Sequence, residues 1–219
     1  MFHFFLRIYA LYLRKKSLRN SLLYHLSQYF ADLAGPFRLL SSYITLAGLG
    51  TALGALLTWW IMPKLWIYLP IDRGRAYAID ADKSIGKPMS GGIIFIPIFV
   101  LISLLVVPFD WKFIGILSCV VLAMIVGFLD DNSKKGWSEY SLGAMDLIIA
   151  LLASLIICEL EPLVMWLPVS KDPIEISPSL FLFASTILIW TSINATNCTD
   201  GVDGLSASLS SMAILFLGG

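Results

Sequence analysis

Two polar clusters interrupt an otherwise apolar chain, and both hold residue types suited to phosphate and cations. GFLDDNSKK, residues 127–135, sets Asp130 beside Asp131, with Lys134 shortly after. Adjacent carboxylates repel each other, and at the C-terminal end of a helix they also oppose the helix dipole. A bound divalent cation, a phosphate-bearing partner with its metal, or a base function would each account for the pair. Lys134 lies within reach as a compact positive charge for phosphate. A solvated loop that keeps the helix from sliding into lipid accounts for the same residues without any chemistry.

The second cluster is NATNCTDGVDGL, residues 194–205. If Gly204 begins a helix, Asp203 sits near its N-cap and Asp200 in the turn before it. Gly201 and Gly204 permit a tight turn and close approach by a ligand. Amide hydrogens at that helix start, with Asn197 and Thr199, suit polar ligand groups. A plain capped turn competes with this reading. An EF-hand-like loop does not fit, since the spacing is wrong and no bidentate glutamate follows. Asn194-Ala-Thr and Asn197-Cys-Thr also match the glycosylation pattern. A third stretch, KSIGKPMSGG at residues 83–92, could hold a phosphate through Lys83 and Lys87, or could be snorkelling anchors and a helix start. Asp146 falls near the start of an apolar run and is left without a role.

The elements that position these clusters follow from composition. The 219 residues are 58% hydrophobic and 14% charged, against about 25% charged in an ordinary soluble domain. Mean hydropathy is +0.83. A soluble core of this size could not hide so much apolar surface, so the chain reads as an integral membrane protein. The formal net charge is zero and offers no argument for nucleic acid. Both histidines, His3 and His25, lie near the N-terminus, which leaves little room for a histidine-based zinc site or a Ser-His-Asp triad. Cys119, Cys158 and Cys198 lack metal or redox spacing and read as small buried hydrophobes. MFHFFLRIYALYL carries an arginine inside its apolar run and is not a good signal peptide.

Uncharged or nearly uncharged windows mark spans at residues 39–63, 88–109, 113–129, 141–158 and 176–199, and a further window opens at 204. The expected fold is an all-α polytopic membrane protein with five full transmembrane helices and the start of a sixth. The chain stops inside a hydrophobic segment and is expected to be an N-terminal fragment. Alternation of helices then sets loops 64–87, 130–140 and 194–204 on one membrane face. Lys64, Arg73, Arg75, Lys83, Lys87, Lys134 and Lys135 fall there, whereas the opposite loops hold only Lys112 and Lys171. That bias assigns the clustered face to the cytoplasm. Arg7, Arg14, Lys15, Lys16, Arg19 and Arg38 run against it. Residues 1–38 therefore read as a basic interfacial segment ahead of a transmembrane domain at 39–219, or as a sign of a less simple topology.

In their order and positions, these clusters resemble those of the polyprenyl-phosphate N-acetylhexosamine-1-phosphate transferases, glycosyltransferase family 4. GFLDDNSKK matches the family's DDxxK element, and NATNCTDGVDGL its Asn-x-x-Asn-x-Thr-Asp-Gly-x-Asp-Gly-Leu element. Weaker similarity begins at PFRLLSSYITLAG and runs through the remaining chain. The resemblance implies a ten-helix fold of which this chain holds about half, Mg²⁺ as cofactor, and an active site facing the cytoplasm of a bacterial inner membrane. It implies that Asp130 and Asp131 face the metal and the lipid phosphate, with Asp130 accepting a proton and Lys134 steadying the phosphates. Asn197, Asp200 and Asp203 would line the nucleotide and metal region, Asp131 and Asp200 being the candidate ligands, and Lys87 would contact substrate. The branch matched best moves phospho-MurNAc-pentapeptide from its UDP carrier to undecaprenyl phosphate, giving lipid I and UMP. The implied partners are thus undecaprenyl phosphate, UDP-MurNAc-pentapeptide and membrane lipid, with no nucleic acid and a possible homodimer.

This chain departs from the family in several places. Gly-Thr-Pro-Thr-Met-Gly-Gly reads Gly86-Lys87-Pro88-Met89-Ser90-Gly91-Gly92 here, Ser84 stands where a lysine is usual, and the preceding loop is shortened. The family's third acidic motif and histidine-rich loop are absent, so these residues alone are expected to lack turnover. Two rivals remain: a GlcNAc-1-phosphate transferase acting on undecaprenyl phosphate, and half of a membrane transporter. A transporter would need carboxylates nearer mid-bilayer than Asp130, Asp131, Asp200 and Asp203. A purely structural assembly protein would leave the clusters unexplained.

Overall fold

In hydrocarbon every backbone amide must be satisfied internally, so long uncharged windows have little choice but to be helices. The computed structural model describes residues 39, 42–72, 85–107, 109–133, 136–158, 163–165, 173–199 and 204–218. Within them lie six α-helices: α1 (Tyr43–Leu65), α2 (Gly92–Val106), α3 (Trp111–Asn132), α4 (Glu139–Ile157), α5 (Pro178–Thr199) and α6 (Leu205–Gly218). One helix answers each uncharged window, and the all-α polytopic membrane architecture stands. The spans Ile44–Tyr68, Trp111–Asn132, Glu139–Ile157 and Pro178–Cys198 are long and apolar enough to cross a bilayer. Ile44, Trp59, Phe99 and Leu188 are exposed on helix faces, as lipid-solvated surface would be. The basic segment expected over 1–38 lies outside the described residues.

Two features differ from the expected pattern. Helix α2 has only 15 residues, about 22 Å of rise against roughly 30 Å of hydrocarbon. Its window was uncharged from Pro88, but Pro88 forms an antiparallel bridge with Ile71. The Met89 N–H donates to the Pro70 carbonyl (2.7 Å) and the Asp72 N–H to that of Lys87 (2.8 Å). Absence of charge permits burial in lipid without dictating a helix. At the other end Val107 is extended, as a residue preceding proline tends to be. The second difference is a two-stranded antiparallel pair, β1 (Leu163–Met165) and β2 (Ile174–Ile176), with Val164 opposite Glu175. Only a loop was expected there.

The chain divides into two compact units, residues 1–136 and 137–219. In the first, α2 packs on α1 through Ile94, Ile98 and Ile102, which recur every four residues and so share one helix face. Leu57, Ile61 and Met62 of α1 pack against them. A Cβ added at Gly50 would stand 3.2 Å from Val106, so the small residue there lets the helices approach closely. At the end of α1, Lys64 Nζ lies 3.3 Å over the Trp60 ring, a pairing of cation and aromatic face suited to a membrane boundary.

In the second unit Asp146, Ile149, Ala150, Ala153 and Ser154 are the buried stripe of α4, and α5 is the element packed most extensively on that helix. Trp190 Nε1 donates to the Gly143 carbonyl across this pair at 2.8 Å. Ser138 caps α4 by accepting from the Ser141 N–H, and Glu139 in the first turn complements the dipole. Trp190→Phe keeps most of the ring and removes one interhelical bond, which membrane proteins value at about 0.6 kcal/mol and at most about 1.7. The expected result is a small fall in unfolding free energy in detergent. A loss above about 3 kcal/mol would show that the indole does more than make this bond.

Candidate active site

Helix α3 carries the acidic pair inside its final turn, not in the loop at 130–140 where sequence alone set it. The helix runs to Asn132; the Ser133 N–H donates to the Asp130 carbonyl at 3.0 Å and Ser133 itself is extended. No basic residue stands in that last turn. Two half-buried carboxylates therefore share the negative end of the dipole. Lys134 lies outside the described residues.

Asp131 is held from a distant part of the chain. Ser90 Oγ donates to its Oδ2 at 2.6 Å, a short charge-assisted bond. The bond joins the residue before the α2 N-cap, Gly91, to the end of α3, so the start of α2 and the end of α3 meet at one end of this unit. Ser90 adopts φ 59°, the left-handed region that only small polar residues and glycine enter at modest cost. A Cβ at Gly91 would come within 2.9 Å of Met62 Cε, the tip of a flexible side chain that can swing aside. Ser90 and Asp131 share a recess of about 180 Å³ with Gly127 and Phe128.

Ser90 was missed in the sequence, where KSIGKPMSGG was read for its lysines. The available signal was a lone hydroxyl ahead of Gly91-Gly92 at the mouth of an apolar run. Lys87 is exposed in the bridged turn, which closes through the Gly86 N–H to the Asp72 carbonyl at 2.9 Å. Lys83 and Ser84 lie outside the described residues.

In the second unit, the NATNCT half of the other cluster is helical rather than turn. Asn194 Nδ2 donates to the Trp190 carbonyl (2.9 Å) and Thr196 Oγ1 to that of Ser192 (2.8 Å). These side chains turn back on their own helix, which therefore runs to Thr199. Asn197 is exposed on it. Asp200 and Asp203 lie outside the described residues. Gly204 has φ 79° and α6 starts at Leu205, one residue later than expected.

Among the described residues no group of three or more His, Cys, Asp or Glu gathers around a metal-sized space. The acidic pair still suits Mg²⁺, which takes one or two carboxylates and completes its shell with water and substrate phosphates. Hard oxygen donors without histidine or cysteine disfavour zinc.

Comparison with known proteins extends the picture. A family model described as glycosyl transferase family 4 matches residues 113–219. A relative from Treponema pallidum (strain Nichols) is 41% identical over 201 residues, covering 90% of this chain and 54% of its own length. One from Campylobacter jejuni (strain RM1221) is 32% identical over 203 residues, covering 81% of this chain and 57% of its own. One from Helicobacter pylori (strain J99) is 28% identical over 194 residues. All three bear the name phospho-N-acetylmuramoyl-pentapeptide-transferase. The chain spans about half the length of the curated relatives it matches. No solved structure matches it.

Proposed function

Because the chain belongs to glycosyl transferase family 4, we propose that it serves the transfer of phospho-MurNAc-pentapeptide from UDP to undecaprenyl phosphate, forming lipid I and UMP. The observation that carries this reading is the 41% identity, over 90% of the chain, to a relative of that name. The acidic pair at the end of α3 is the chemistry such a relationship calls for. The site is assigned to the cytoplasmic face of a bacterial inner membrane, in keeping with the lysines and arginines of the loops at 64–87 and 130–140.

In the reaction, an oxygen of the lipid phosphate bonds to the phosphorus that bears the sugar. The bond from that phosphorus to the bridging oxygen breaks, and UMP leaves with the electron pair. Asp130 takes the proton from the lipid phosphate, leaving a better nucleophile. Asp131, fixed by Ser90, would supply a carboxylate to hold Mg²⁺. The ion, when bound, offsets charge on the diphosphate. Lys134 adds a positive charge for the phosphates, and Lys87 approaches the sugar-phosphate from the bridged turn. Asn197, Asp200 and Asp203 hold the nucleotide. Positioning and charge neutralisation supply most of the rate, as is general for phosphoryl transfer.

The test is donor choice. Membranes containing the full-length gene product are given undecaprenyl phosphate with either UDP-MurNAc-pentapeptide or UDP-GlcNAc. The expected outcome is a lipid-linked product from the first donor, undiminished by a tenfold excess (about 1.4 kcal/mol of competition at equal affinity) of the second. Product from UDP-GlcNAc alone would reassign the chain to the GlcNAc-1-phosphate branch. Product from neither would overturn the transferase reading.

A further inference from the structure

We infer that Ser90 is a positioning residue for the transfer reaction, fixing Asp131 through its hydroxyl while the backbone fixes Ser90. The inference rests on the transferase reading above. Its starting point is an outlier: Ser90 has φ 59°, the one non-glycine residue with positive φ among those described. Such a conformation costs a residue bearing a Cβ on the order of 1 kcal/mol, and glycine avoids that cost. Strain of this kind persists where the side chain serves something that glycine could not.

The geometry supplies that service. Ser90 is pinned on both sides by backbone bonds: the Met89 N–H donates to the Pro70 carbonyl at 2.7 Å, and the Ile93 N–H to the Ser90 carbonyl at 3.1 Å. A serine has a single side-chain torsion before its hydroxyl, so a pinned backbone gives a nearly fixed donor. That donor meets Asp131 Oδ2 at 2.6 Å, 41 residues away in sequence. Asp131 and Asp130 are neighbours on α3, pointing about 100° apart around the helix axis. The hydroxyl bond anchors the Asp131 carboxylate to the start of α2, so its direction is set by more than its own rotamer preference. A carboxylate that must face a phosphate or its metal gains from that anchoring.

The decisive comparison is Ser90→Gly against Ser90→Ala, in the full-length protein. Both remove the hydroxyl, but glycine relieves the left-handed backbone and alanine does not. If the hydroxyl positions Asp131, both variants lose about 10- to 100-fold in kcat, the range of a hydrogen bond to a charged group. KM for the UDP donor should stay within about twofold, and Ser90→Gly should unfold no earlier than the unmutated protein. In an Asp131→Asn background Ser90→Gly should cost less than about threefold, because the two residues act as one unit. Should Ser90→Gly retain full kcat while Ser90→Ala loses it, the serine is only a backbone element and the inference is overturned. Equal, additive losses in both backgrounds overturn it as well. Absence of transfer by the unmutated protein is a separate failure, which removes the transferase reading and this inference together.

Discussion

Asp131→Asn is expected to lower transfer by about a thousandfold while the protein remains folded, an effect on the scale of losing one preorganised charged group at a phosphoryl-transfer site. Asparagine has the same shape, and its Oδ1 can still accept the hydrogen of Ser90, so the link between α2 and α3 is kept. What disappears is the negative charge. The comparison that isolates charge is Asp110→Asn. Asp110 sits at the N-cap of α3, the opposite end of the same helix, exposed and making no side-chain capping bond. It should retain activity within about twofold, since its exposed side chain makes no capping bond and lies at the far end of the helix from Asp131. Residual activity above a tenth of normal in Asp131→Asn, with unfolding unchanged, removes Asp131 from the catalytic assignment.

Removal of divalent cation should be equally severe. Chelation by EDTA is expected to cut transfer at least about a hundredfold, with recovery on adding Mg²⁺. The physical basis is the end of α3, where two adjacent carboxylates meet the negative pole of the helix and no basic residue stands in the last turn. A cation bound there would relieve repulsion before any substrate arrives, so the ion should also raise the unfolding midpoint of the substrate-free protein, following RT ln(1 + [L]/Kd). Asp131→Asn should shrink that rise. Undiminished transfer in EDTA would show that the carboxylates serve without a metal.

The helices were legible because lipid leaves so few alternatives: each uncharged window became one. Their ends were less legible, and for two opposite reasons. Pro88, Met89 and Ser90 carry no charge, yet backbone bonds to residues 70–72 draw them out of α2. Asn194 and Thr196 look like turn residues, yet each side chain satisfies a carbonyl one turn back and the helix continues through them. The strand pair at 163–165 and 174–176 is three residues per strand, too short for any alternation to register. At the site, adjacency alone drew attention to Asp130 and Asp131, and the structure moves them from the expected loop into the last turn of α3. The Ser90 contact could not be read, since it spans 41 residues and rests on a backbone angle that no local pattern announces.

The brevity of α2 bears on the membrane itself. Its 15 residues fall about 8 Å short of a typical hydrocarbon core, and a mismatch of that size is met by local thinning of the bilayer or by sinking of a polar end. Either adjustment brings headgroups and Ser90 toward the same depth. For the lipid-phosphate substrate proposed above, the phosphate would then reach the Asp131 carboxylate without being lifted out of its leaflet, and transfer would depend on bilayer thickness.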